Sequence, residues 1–159
     1  MCRHAIIVVV CLFLFLALPN SLAASMSQVD FESAVVARVN QERKTRGLPL
    51  LSRDPALQKA AQWMAEDLAR RGKLDHKDSR RRDMKTRLQF FGYQDPQIMA
   101  ENVAAGPDTP EKVVEQWLRS RPHRANMLNP DIREVGVGHA RNSAGMSFWV
   151  LDLGKSFAD

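Results

Sequence analysis

The sequence predicts an α+β domain, and three observations carry that expectation. Amphipathic helical stretches come first and an antiparallel strand pair comes last; 45% hydrophobic and 26% charged residues is the balance of one globular domain; and no repeat or low-complexity tract divides the 159 residues. The formal charge of +5 bears on solubility and on attraction to anionic partners rather than on fold.

Residues 1–23 read as a signal peptide. Arg3 and His4 precede an apolar run from Ala5 to Leu18, and Pro19, Asn20 and Ser21 break it before Ser21-Leu22-Ala23. The run is too short and its flanks are wrong for a spanning helix, which leaves no membrane span after cleavage at Ala23 or a residue or two later. An uncleaved N-terminal anchor is the alternative. Cys2 and Cys11 both lie in this segment, so the mature protein has neither thiol nor disulfide, and its destination is secreted or periplasmic. Residues 24–34 form a lead-in with the start of the first helix, 35–154 the domain proper, and 155–159 a C-terminal tail.

The first helix is expected from about Asp30 to Arg46, with Phe31, Val35 and Val39 on one face, followed by an extended connector at 48–51 around Pro49. Asp54-Pro55 then supplies an N-cap and a first-turn proline for a second helix, whose stripe of Leu57, Ala60, Ala61, Met64 and Leu68 runs to Gly72. Between Arg70 and Arg87 nine basic residues face three aspartates. The stretch reads as a loop plus a third helix capped by Asp83, and as a solvated basic face or one drawn to an anionic envelope surface. No aromatic is interleaved with it, so single-stranded nucleic acid is not an expected partner. Ile98 to Ala105 reads as a buried strand, and Thr109-Pro110 opens a fourth helix that Pro122 interrupts. Residues 123–128 give a further helical turn or two. Strands at 134–140 and 146–153 flank the turn at 142–145.

Phosphate-cradling, dinucleotide-binding and local zinc motifs are all absent. What remains is dispersed: His76 with Asp75 and Asp78 beside it, Glu101 followed by Asn102, and His123 three residues after Ser120. Glu101 is the most telling, being a charge inside an apolar strand. A buried carboxylate must be paired, hydrogen-bonded or metal-bound. Two imidazoles converging on it would either satisfy it or hold a divalent cation with it. Ser120 lacks the strained glycine elbow of a hydrolase nucleophile.

Five motifs occur in order: Val-Asn-Gln-Glu-Arg at 39–43, Leu-Asp-His-Lys-Asp-Ser at 74–79, Ala-Glu-Asn-Val-Ala-Ala-Gly at 100–106, Trp-Leu-Arg-Ser-Arg-Pro-His-Arg-Ala-Asn-Met-Leu at 117–128, and Glu-Val-Gly-Val-Gly at 134–138. Together they resemble the CAP superfamily, or SCP domain, of cysteine-rich secretory proteins, antigen 5 and pathogenesis-related proteins, in a bacterial cysteine-free form. The resemblance implies a three-layer α-β-α sandwich around a small, mainly antiparallel sheet. It also implies a cleft carrying two histidines and two acidic residues, reported to hold a divalent metal, often zinc. Carried over, His76, Glu101 and His123 match as metal ligands, with Asp75, Asp78, Asn102 and Ser120 in the cleft. Ser120 stands where the family's other acidic residue is placed, and Glu115, five helical residues earlier, is turned about 140° away. The family's links to sterol and lipid binding, protein interaction and, in few cases, proteolysis imply a non-catalytic module for an unknown lipid or peptide ligand. The alternative is a Zn-dependent, protease-like hydrolase using the same cleft. A third reading makes His76, Glu101 and His123 a hydrogen-bonded cluster that holds a loop to the sheet.

Overall fold

The computed structural model describes residues 27–157, so the expected signal peptide at 1–23 lies outside the described residues. Helix α1 spans Gln28–Lys44. It starts two residues before its expected origin because Ser27 caps the helix and Asp30 closes the capping box from the third helical position. Strand β1 (Ser52–Arg53) continues the predicted connector and pairs in parallel with β3 (Glu134–Arg141). A two-residue strand leaves no alternation to read in the sequence.

Helix α2 (Pro55–Arg71) has the predicted Asp54 cap, and Gly72 ends it in the left-handed conformation. Helix α3 (Met84–Phe90) is capped by Asp83, and strand β2 covers Pro96–Ala105. Helix α4 (Pro110–Arg119) is followed at once by α5 (Arg121–Met127), with Ser120 ending one and beginning the other. Pro122 thus opens a new helix, where its missing N–H costs nothing. Strand β4 (Ser147–Ser156) closes the chain.

The sheet order is β1-β3-β4-β2, antiparallel at both β3–β4 and β4–β2, a mixed sheet that is mainly antiparallel, as expected. Alternation along the strands divides the core. Val135, Val137, Trp149, Leu151 and Leu153 face the layer of α1, α4 and α5, whereas Val103, Phe148 and Val150 face α2. This is the three-layer α-β-α sandwich.

Two devices seat the helical layers. On one face, Gly136 and Gly138 of β3 let α2 approach so closely that a Cβ at either position would collide with the backbone of Leu57 or Ala61. From that helix, Gln58 and Gln62 exchange hydrogen bonds with the backbone of Val137 and His139, satisfying strand groups that the short β1 does not reach. On the other face, the Val-Asn-Gln-Glu-Arg motif proves structural. Asn40 bonds both backbone groups of Leu51, and the fully buried Arg43 donates to the carbonyls of Pro49, Met127, Asn129 and Ile132. A planar guanidinium suits this fan of four acceptors in a way an ammonium cannot.

Candidate functional site

The candidate site lies round β2, an edge strand of the sheet. Glu101 is buried on the α3 side of that strand. Its Oε1 accepts from His76 Nδ1 at 2.8 Å, and its Oε2 accepts from Arg87, a wholly buried residue of α3. A carboxylate in this setting only accepts, so Nδ1 carries a proton and Nε2 is left as the open nitrogen of a ring that is 65% exposed. The hydrogen bond to Glu101, and then its charge, raise the pKa of His76 against the opposing effect of burial.

Asp152 stands opposite Glu101 on β4 and completes a buried cluster, 3.5 Å from Arg87. Burial first, and then the negative charge of Glu101, push its carboxyl well above the usual range. Glu101 and Asp152 thus share the one buried guanidinium of Arg87. Sequence reasoning misses both Arg87 and Asp152. Arg87 sits at the end of the basic run read as a solvated face; folding buries it because Glu101 needs a counter-charge. Asp152 carries the same signal as Glu101, a lone carboxylate in an apolar strand.

Asn102 performs a different task from its neighbour. It is buried, donates to the backbone carbonyl of His123 at 3.0 Å and accepts from Asn126 at 2.9 Å. The Glu-Asn pair therefore works as two anchors, Glu101 fixing His76 and Asn102 fixing α5 and with it His123. Burial, and then the charge of His76, lower the pKa of His123, so the two imidazoles feel one another across the strand edge.

The other residues expected in the cleft are engaged elsewhere. Asp75 bonds Arg71 and the Lys77 N–H. Asp78 is buried, and its oxygens take the N–H groups of Arg80 and Arg82, the Arg82 side chain and Trp63 Nε1, rather than His76. Ser120 serves the α4–α5 junction through its backbone, and its side chain makes no cap. Among the described residues no group of three or more His, Cys, Asp and Glu is arranged to hold a metal ion. Glu101 spends one oxygen on His76 and the other on Arg87, so the arrangement offers two imidazoles backed by an orienting carboxylate.

Two adjacent residues of the β2 edge strand thus anchor the two flanking histidines on a three-layer α-β-α domain. The model of the cysteine-rich secretory protein family, CAP, matches residues 36–153, and the chain belongs to that family. It is 33% identical over 138 residues to the protein YkwD of Bacillus subtilis, covering 86% of this chain and 52% of YkwD; it thus spans about half the length of that curated relative. Among solved structures, an outer surface protein of Borrelia burgdorferi superposes with a TM-score of 0.71 at 22% identity, over 78% of this chain and 91% of that one. An SCP-domain extracellular protein of Bacillus anthracis gives 0.70 at 22% identity, over 84% and 45%. These likenesses establish the shared fold. No helix among the described residues is long and apolar enough to cross a membrane.

Proposed function

We propose that the chain is a secreted or periplasmic CAP-domain binding module, non-catalytic, whose cleft at the β2 edge takes a lipid or peptide ligand against His76 and His123. One observation carries this reading: both oxygens of Glu101 are committed, one to His76 and one to the buried Arg87. A general base must lie within reach of the proton it removes, and Glu101 is buried with one oxygen turned to His76 and the other to Arg87, so this carboxylate acts to hold a ring in place. Ser120, lodged between two helices, offers no activated nucleophile in its stead. The extracellular description of the Bacillus anthracis structure and the outer-surface one of the Borrelia burgdorferi structure support an envelope or external location. A divalent cation, where taken, would draw on the two imidazoles, with Glu101 fixing the first of them; no reaction step is assigned to it.

The test is calorimetric titration of Zn²⁺ into chelator-stripped protein, beside assays with peptide and ester substrates. Wild type, His76→Ala and His123→Ala are compared in each. The binding reading expects no turnover, and any Zn²⁺ affinity to fall in both variants. Substrate turnover that His76→Ala abolishes would replace it with the hydrolase.

A further inference from the structure

The loop between α2 and α3 is organised round two buried carboxylates. Asp67 accepts from Arg70, Arg71 and the Ser79 N–H. Asp78 takes the Arg80 and Arg82 N–H groups on one oxygen, and the Arg82 side chain and Trp63 on the other. Its backbone closes the turn in both directions, accepting from Arg81 N at 2.9 Å and donating to Arg82 O at 3.1 Å. The carboxylates of this segment are therefore spent on its own architecture. Arg82 is spent as well, its guanidinium lying 4.4 Å from the Phe90 ring centroid and 5.5 Å from that of Trp63. The run has no aromatic in sequence, yet folding brings Trp63, Phe90 and Phe91 onto it.

Three exposed cations line one hollow beside this turn. Lys73, Lys77 and Arg81 form no salt bridge among the described residues, and with Arg71 they line a hollow of about 460 Å³. The only partly exposed acid lining it, Asp75, is already bonded to Arg71 and the Lys77 N–H. The backbone adds an independent sign. Arg81 adopts φ +66, a left-handed conformation that an L side chain rarely takes and that clusters at ligand clamps and switch regions. The turn that Asp78 locks on either side imposes this conformation and holds the arginine at the rim of the hollow.

We infer that this basin binds a ligand through a phosphoryl group, the oxyanion whose charge and several acceptor oxygens match two ammonium groups and a guanidinium grouped around one hollow. The inference goes beyond the cleft reading and does not depend on it, since His76 is not among the lining residues. A soluble phosphate ester and a phospholipid headgroup share this chemistry, and the experiment separates them.

The whole protein is titrated with inorganic pyrophosphate, and separately with phosphatidylglycerol and phosphatidylcholine vesicles, at two salt concentrations. Lys77→Gln and Arg81→Gly are expected to weaken binding by about three- to tenfold each, and added salt to weaken it further. Arg81→Gly removes the charge while suiting the left-handed backbone, so its thermal midpoint should not fall and lost binding cannot be blamed on lost fold. Binding of pyrophosphate assigns a soluble ligand, and binding confined to phosphatidylglycerol vesicles assigns a headgroup. No binding of either overturns the inference. So does equal weakening by Lys44→Gln, a charge removed from α1 outside the basin, or weakening by His76→Ala alone, which returns the ligand to the cleft.

Discussion

At His139 the ring is buried, its centroid 4.1 Å from that of Trp149 and 5.0 Å from that of Phe31, with Nε2 3.1 Å from the Ser147 hydroxyl. Burial, aided by the charge of Arg141, lowers its pKa to about 4 from 6.5. Between those two values the unfolded chain binds a proton that the folded chain refuses. The stability His139 confers is therefore complete above about pH 6.5 and is lost as the pH falls toward 4, on the order of 3 kcal/mol in all. His76 has the opposite sign: its raised pKa gives stability that is full below its ordinary value and lost as pH rises through the folded one. Replacing His139 by Phe separates the two. Urea unfolding of His139→Phe at pH 4.5 and 7 should show a smaller difference than in wild type. An unchanged difference would assign the acid sensitivity to other groups.

At the scale of elements, the Glu-Val-Gly-Val-Gly motif is a docking surface for a helix. Strand β3 gives up two side chains so that α2 can lie on its backbone, and the contact is closed by Gln58 and Gln62. Overpacking a seat made of backbone atoms leaves nothing flexible to yield, so Gly138→Ala should cost at least the roughly 1–3 kcal/mol typical of an added core methyl. Ala144→Gly, in the exposed hairpin turn, should leave the urea midpoint nearly unchanged. A Gly138→Ala protein as stable as wild type would mean that α2 slides freely on the sheet. The helices themselves are legible in the sequence because their signals are local: Asp54-Pro55 and Thr109-Pro110 begin α2 and α4 where expected. The strand β1 is not legible, since two residues owe their pairing wholly to β3. In the site, Glu101 announces itself by its setting, but its partner Arg87 lies 14 residues away and in sequence belongs to a basic run. Only the packing of α3 onto the sheet shows that this one arginine is withdrawn from water while Lys73, Lys77 and Arg81 remain outside.

Over the whole molecule, the buried Arg87–Glu101–Asp152 cluster joins α3 to two strands and, through His76, to the α2–α3 loop. Such a cluster is a poor source of net stability, because desolvating the charges offsets most of their attraction, and here Arg87 Nε and Nη1 are also buried without a partner. Its contribution is to place His76 at the cleft, which separates folding from function in a measurable way. Arg87→Met alone leaves the buried Glu101 without its guanidinium partner and should cost about 3–5 kcal/mol. The triple variant Arg87→Met, Glu101→Leu, Asp152→Leu removes every buried charge of the cluster together and should regain most of that loss. In the triple variant His76 loses its acceptor, so its pKa, followed by NMR, should fall back toward the ordinary histidine value of 6.5. Zn²⁺ affinity, where wild type has it, should weaken with the freed ring. A triple variant less stable than Arg87→Met would make the cluster a structural keystone. A triple variant that is stable but keeps the raised His76 pKa would mean that something other than Glu101 orients the ring.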